Sequence, residues 1–261
     1  MVTITIDQNC YACQPGETVL DTLLRENINL SFACKKGTCH SCMIRSLDVT
    51  PPQAAQSGLK NTLIKQNYFL ACQCYPEQDM LIKLPEQSEF YRLGTVVVNK
   101  LLNRNTILLI IAFEDAFEFN AGQFVNLQRS DGLTRSYSTA NIPQQSNTLE
   151  FHIRLLPDGV FSTWLHDEVK VGDSIAVSEP RGHCFYLPER SEQGLLLVGT
   201  GTGLAPLAGI LTDALANGHT GPIHLFHGSR DLEDLYRIDE MRQLAKQHPN
   251  RSEERSCRER L

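Results

Sequence analysis

Alternation opens the chain. Val2, Ile4 and Ile6 are apolar while Thr3 and Thr5 are polar, the period-two pattern of a half-buried strand over Val2–Ile6. Pro15-Gly16 predicts a turn and Thr18–Asn27 an amphipathic helix, with Val19, Leu20, Leu23 and Leu24 on one face. Thr18 followed by Asp21 resembles a capping box at its start. Phe32–Ser41 has no period and reads as a loop; Cys42–Leu47 can be a strand, Lys60–Gln66 a short helix and Met80–Leu84 a closing strand. The polar stretch Pro85–Glu89 reads as a linker.

From Tyr91 to about Leu187 the texture changes to short strands between turns: Thr95–Lys100, Thr106–Ala112, Phe124–Leu127, Leu149–Ile153 and Ser174–Ser178. With one helix, Phe161–Glu168, this spacing predicts a barrel or sandwich. From Gly194 the order becomes strand, loop, helix, strand. Leu195–Val198 is a continuous apolar run, expected of a strand buried on both faces. Gly199–Gly203 is a glycine-rich turn, Leu204–Asn217 a helix with Gly218 as its left-handed stop, Ile223–His227 the next strand and Leu235–Gln247 the next helix. Two strands fall short of a doubly wound sheet over a dinucleotide. Residues 251–261 have no apolar period and carry seven charges in eleven positions. They are expected to stand outside the fold as a non-native tail, like translated linker or adapter sequence, after a reading frame cut short.

At 261 residues, 41% hydrophobic and 21% charged, the composition is that of an ordinary globular protein of two or three domains. A net charge of −6 argues against a nucleic-acid surface, no apolar run approaches the ~20 residues of a membrane span, and Met1 leads straight into a strand without a signal peptide. The chain is therefore expected in the cytoplasm, with neither nucleic acid nor membrane as partner, and as a monomer.

Cysteine changes the picture. Seven of nine cysteines fall in the first 74 residues, and a reducing cytosol makes a disulfide framework improbable. Cys34, Cys39 and Cys42, spaced C-x4-C-x2-C and followed by Cys72, match the plant-type [2Fe–2S] pattern. Each iron takes two protein sulfurs, so four thiolates must gather around a loop that Gly37 lets curl. Zinc sites generally use paired C-x2-C hooks, which Cys39/Cys42 and Cys10/Cys13 alone could supply; Cys10 and Cys13 read rather as small apolar residues. Cys72 and Cys74 have the same chemistry.

The run Phe32-Ala33-Cys34-Lys35-Lys36-Gly37-Thr38-Cys39-His40-Ser41-Cys42 with Leu70-Ala71-Cys72 resembles the ferredoxin domain of bacterial oxygenase reductases, the NADH-dependent components of ring-hydroxylating dioxygenases and soluble multicomponent monooxygenases. That resemblance favours Cys72 as fourth ligand. Arg135-Ser136-Tyr137-Ser138 matches the R-x-Y-S signature of the ferredoxin–NADP reductase superfamily. It implies a guanidinium on the flavin pyrophosphate, a tyrosine ring on the isoalloxazine and a serine hydroxyl near flavin N5, with Tyr137 and Ser138 at the reacting end. Ala121-Gly122-Gln123-Phe124 precedes it at the family's distance, and Glu179–Phe185 resembles the element that follows. The strand end His152-Ile153-Arg154 and the helix start Gly159-Val160-Phe161-Ser162 complete the implied FAD contacts. Gly199-Thr200-Gly201-Thr202-Gly203, without a Walker lysine, looks like the family's nicotinamide-nucleotide loop, and Ser229 and Arg230 like the adenosine end.

The resemblance implies an α/β multidomain chain: a β-grasp-like ferredoxin domain (1–88), a flavin-binding β-barrel (89–190) and an incomplete doubly wound nucleotide-binding domain (191–250). Electrons would pass from NAD(P)H through FAD to the [2Fe–2S] cluster and on to a terminal oxygenase or separate ferredoxin. The family's Cys-Gly element beside the nicotinamide has no counterpart before Leu261, so slow reduction by NADH is expected. The alternative is a non-catalytic electron carrier or redox-sensing module.

Overall fold

A computed structural model describes residues 2–85, 87–143, 147–248 and 251–257, the last seven by backbone alone. The chain divides into two compact units. The first comprises the residues up to Arg92 with Asn126–Ser136 and Ala176–Glu179; the second comprises Leu93–Val125, Tyr137–Ile175 and the residues from Pro180 on.

In the first unit β1 (Val2–Ile6) pairs antiparallel with β2 (Asn9–Cys13) and parallel with β5 (Met80–Lys83), in a mixed sheet of order β2-β1-β5-β3-β4. β3 (Met43–Ser46) and β4 (Tyr68–Leu70) pair antiparallel, Met43 opposite Leu70. The strand Tyr68–Leu70 carries no alternation and is not predicted, because all three side chains are buried. Helix α1 (Val19–Arg25) starts as expected: the Thr18 hydroxyl oxygen accepts from the Asp21 N–H at 3.1 Å. Its face of Val19, Leu20 and Leu23 joins Ile4, Ile44, Phe69 and Ile82 in the core. Cys13 belongs to that core, whereas Cys10 on β2 is exposed. α2 (Asn61–Ile64) is a single turn, and a further turn, α3 (Gln87–Phe90), occupies the expected linker, of which Glu86 lies outside the described residues.

Six strands form a second sheet: β6 (Tyr91–Asn103), β7 (Thr106–Ala112), β8 (Phe124–Gln128), β9 (Thr134–Ser138), β10 (Thr148–Arg154) and β11 (Ser174–Ser178), in the order β10-β7-β6-β11-β8-β9. β10 runs antiparallel to β7 along its whole length. α4 (Val160–Asp167) follows β10, with Phe161 and Leu165 buried.

β12 (Leu195–Thr200), β13 (Ile223–Ser229) and β14 (Arg251–Cys257) form a parallel sheet, with α5 (Leu204–Ala216) after β12 and α6 (Ile238–Gln247) after β13. Two expectations are corrected here. Leu197 is buried against Leu204, Ile210 and Leu211, but Leu196 and Val198 are 67% and 64% exposed, so β12 is covered on one face only. Residues 251–257, set outside the fold, run as β14 in register with β13; a parallel edge strand needs only backbone partners, so no apolar period is required of it. The remainder of that tail, 258–261, lies outside the described residues. α6 begins at Ile238 rather than Leu235, because Leu232–Asp234 closes a 3-10 turn and Arg237 takes a left-handed φ of 56°. No helix among the described residues is long and apolar enough to cross a membrane.

Candidate functional site

The cysteine loop curls through three left-handed residues, Lys35 (φ 51°), Gly37 (φ 76°) and His40 (φ 57°). Gly37 is also pressed from outside: a Cβ there would lie 2.9 Å from Gln73 Cγ. The curl points amides at sulfur. Cys34 Sγ accepts from the N–H of Lys36 at 3.3 Å and of Cys39 at 3.4 Å, while Cys39 Sγ accepts from the Cys34 N–H and the Ser41 hydroxyl. Register explains the distant partner: Met43 faces Leu70, so Cys42 and Cys72 follow from the same end of the β3–β4 ladder. Each of these two thiols shifts the ionisation of the other. The four cysteines thus fall into two pairs, Cys34/Cys39 tied by reciprocal N–H to sulfur bonds and Cys42/Cys72 at one end of the β3–β4 ladder. No three His, Cys, Asp or Glu side chains among the described residues surround one point, and two pairs are what two irons sharing four sulfurs require.

The electrostatics separate Cys72 from Cys74. The hydrogen bond from Cys42 draws the Cys72 thiol down to about 6 against its burial, with help from the Gln73 side chain and the Gly37 N–H. Burial pushes the Cys74 thiol up to about 12; it is fully buried in the core beside Cys13. The Cys42 thiol is raised by the Cys72 bond and by burial, and Cys34 is lowered because backbone N–H groups outweigh its burial. These residues fit a [2Fe–2S] cluster.

β9 carries Arg135–Ser138, with Arg135 and Ser136 in the first unit and Tyr137 and Ser138 in the second. Arg135 is exposed, one guanidinium N–H donating to Thr134 O at 2.7 Å. In the second unit the Tyr137 and Phe161 ring centres are 6.0 Å apart, and no side chain caps α4, whose first residue Val160 is exposed. Within the second unit the half-buried Tyr137 ring and the uncapped start of α4 fit a flavin nucleotide. Three expected contacts have their side chains engaged elsewhere. The Ser162 hydroxyl donates to Gly159 O and accepts from the Leu156 N–H, the His152 ring is buried against Tyr236 and Glu150, and Ile153 is fully buried. These three could reach a cofactor only through their backbone.

Within the second unit the glycine loop opens on a cleft of about 720 Å³, lined by Arg154, Thr200, Gly201, Thr202, Ser229 and Arg230 among the expected residues. Gly199 and Gly203 stand behind it. β12 runs on to Thr200, and Gly201–Gly203 make a 3-10 turn into α5, whose start has no side-chain cap. A helix start without a side-chain cap, opening on the cleft that Arg154 and Arg230 line, fits a dinucleotide phosphate. Asp234 also lines the cleft, together with Asn105 and Thr106, which were not expected. They meet because Arg104 spans the three carboxylates of Asp231, Glu233 and Asp234 at 2.8–3.1 Å; the Arg104 bond holds the Asp234 carboxyl below its usual range. The tight Asn103-Arg104-Asn105 hairpin turn is the one signal of this in the sequence.

Behind the loop lie buried histidines that spacing does not reveal. His227 Nε2 is 3.0 Å from Gly201 O, and His152 is 3.0 Å from the Tyr236 hydroxyl. Burial holds both imidazoles below the usual 6.5, against the opposing pull of Glu150 on His152 and of the Gly201 carbonyl on His227. A histidine depressed in the folded state is fully stabilising above its unfolded pKa and loses that contribution as pH falls. Melting temperature is therefore expected to drop as pH is lowered from about 7.5 to about 5.5. His227→Gln should flatten that dependence; an identical slope in the variant would remove His227 from it.

Three family matches cover most of the chain: 2Fe-2S iron-sulfur cluster binding domain at residues 3–77, oxidoreductase FAD-binding domain at 94–186 and oxidoreductase NAD-binding domain at 197–259. The phenol hydroxylase P5 protein of Acinetobacter pittii is 32% identical over 95% of this chain and 73% of its own length. The ferredoxin–NAD(P)+ reductase component of the Pseudomonas putida naphthalene 1,2-dioxygenase system is 33% identical over 90% of this chain and 73% of its own length. Among solved structures, an Amycolatopsis cytochrome P450 reductase superposes with a TM-score of 0.63 at 28% identity, covering 99% of this chain and 82% of that one. The ferredoxin reductase of carbazole 1,9a-dioxygenase gives 0.63 at 26% identity, covering 99% and 79%. The chain belongs to the family of iron–sulfur flavoprotein reductase components of oxygenase systems, which move electrons from NAD(P)H through FAD to a [2Fe–2S] cluster and on to an oxygenase or ferredoxin.

Proposed function

We propose that Cys34 and Cys39 hold one iron and Cys42 and Cys72 the other, that Arg135–Ser138, Arg154 and the backbone of Gly159–Ser162 hold FAD, and that Gly199–Gly203 with Ser229 and Arg230 take the nicotinamide nucleotide. The observation that carries this reading is the gathering of four cysteines as two pairs, Cys34/Cys39 in a loop that aims its amides at their sulfurs and Cys42/Cys72 at the end of the β3–β4 ladder. Bound FAD accepts a hydride and releases electrons singly, and the cluster carries one electron at a time. Around those groups the residues bind, orient and exclude water. Lys36 and Cys39 amides stabilise thiolate charge at Cys34, Gln73 does so at Cys72, and the uncapped start of α5 offers N–H groups to phosphate. The same reading divides the chain near residues 88 and 190 and makes it a cytoplasmic monomer without nucleic-acid or membrane partners. Electrons leave for an oxygenase or ferredoxin past the exposed Lys35, Lys36 and Thr38 of the cysteine loop; the rim expected at Cys39–Cys42 is corrected, since Cys39, Ser41 and Cys42 are buried.

Visible absorption and electron paramagnetic resonance test the cofactor set: flavin and iron–sulfur bands support it, and a colourless, zinc-containing protein refutes it. The roles within the flavin motif are separable. Arg135→Ala should lower FAD retention by roughly tenfold or more, since a charged hydrogen bond contributes about 1.5–3 kcal/mol. Ser138→Ala should keep FAD and slow its reduction. Equal FAD content together with equal reduction rates in both variants would remove these assignments.

A further inference from the structure

We propose that Asn126 is a positioning residue for the iron–sulfur centre, its side-chain amide bridging the Cys39 peptide of the cluster loop to Ser136 of β9. All three residues lie in the first unit. Asn126 sits on β8 between the fully buried Val125 and Leu127 and is itself 1% exposed, so its amide would be costly there unless fully paired. It is paired on both sides. Nδ2 donates to Cys39 O at 2.8 Å, and Oδ1 accepts from the Ser136 hydroxyl at 2.7 Å. The orientation is forced, because a peptide carbonyl can only accept, which leaves the amide oxygen for the hydroxyl. The backbone is held as well: the Asn126 N–H donates to Ser178 Oγ, whose hydroxyl donates to Glu179 O.

Asn126 does a different job from its neighbours. Gln128 donates to Ser31, Ser31 to Gly132 O and Asn29 to Asp131 O, so three other ties hold the β8–β9 hairpin to the segment leading into the loop. Among these ties only Asn126 reaches the peptide of a cluster cysteine. Its N–H draws charge out of the Cys39 carbonyl; without it the negative end of a buried peptide dipole would stand beside the cluster, which disfavours an added electron. Ser136 is the other end of the bridge, so an alteration at the flavin motif is felt at the cluster.

The inference rests on Cys39 as a ligand, and the experiment separates the two. The cluster's midpoint potential is measured in the holoprotein by dithionite titration with resonance detection, for wild type, Asn126→Leu, Asn126→Asp and Ser136→Ala. Stopped-flow mixing with NADH follows flavin and cluster absorbance separately. Both Asn126 variants should shift the potential downward and slow cluster reduction about tenfold, the scale of one hydrogen bond, with flavin reduction little changed. Ser136→Ala, at an exposed position where folding is not at risk, should shift the potential the same way by less. Variants that merely melt earlier, with wild-type potential and wild-type resonance spectrum in all three, overturn the proposal. Cys39→Ser is the control: loss of the cluster there upholds the ligand reading whichever way Asn126 falls, and an unchanged cluster sinks both.

Discussion

Serine at Cys34, Cys39, Cys42 or Cys72 should abolish or severely destabilise the cluster, with iron falling from about two per chain towards zero, while Cys10→Ser, Cys13→Ser and Cys74→Ser leave its spectrum in place. The contrast between Cys72 and Cys74 is the sharpest. Gln73 alone separates them, yet Cys72 stands with Cys42 at the end of the β3–β4 ladder and receives the Gln73 amide, while Cys74 is buried in the core with Cys13. Iron analysis of the purified variants decides it. If Cys74→Ser loses iron while Cys72→Ser keeps it, the second pair is wrongly drawn.

Gly199→Val should weaken NADH binding by about ten- to a hundredfold, the equivalent of roughly 1–3 kcal/mol of steric overpacking. A Cβ at Gly199 would meet Leu207 Cδ1 at 2.8 Å and Gly203 O at 2.9 Å, so the loop must move from the start of α5. Gly201, at φ +52° with its carbonyl facing His227, should behave alike for conformational reasons, although the space beside it is open. Flavin and cluster content should be unaffected in both variants. The dependence of the flavin reduction rate on NADH concentration measures the effect, and an unchanged half-saturation point would show that the loop does not contact the nucleotide.

Local chemistry was legible in the sequence wherever neighbouring residues act together. The cysteine spacing, Arg135–Ser138 and Gly199–Gly203 are contiguous motifs, and each lies on the kind of element its chemistry needs. A strand with one buried face, β1, declared itself by alternation. What stayed hidden depends on contacts between distant segments. Tyr68–Leu70 is too short and too fully buried to alternate. Asn126 looks like a break in a strand until Cys39 and Ser136 are brought to it. His152, Tyr236 and His227 are scattered in sequence and meet only through the pairing of β10 with β7 and the turn before α6. The apolar run of β12 misled for the opposite reason, since composition cannot say whether a second face is covered, and that of Leu196 and Val198 is not.

The order of electron flow is the central claim, and anaerobic mixing of the holoprotein with NADH, followed by optical and resonance detection, tests it most directly. However slow the first step, flavin absorbance should bleach before the one-electron-reduced cluster signal rises, and protein stripped of FAD should give no cluster signal. A cluster reduced by NADH in FAD-free protein, or a flavin fully reduced while the cluster stays oxidised, would contradict the account.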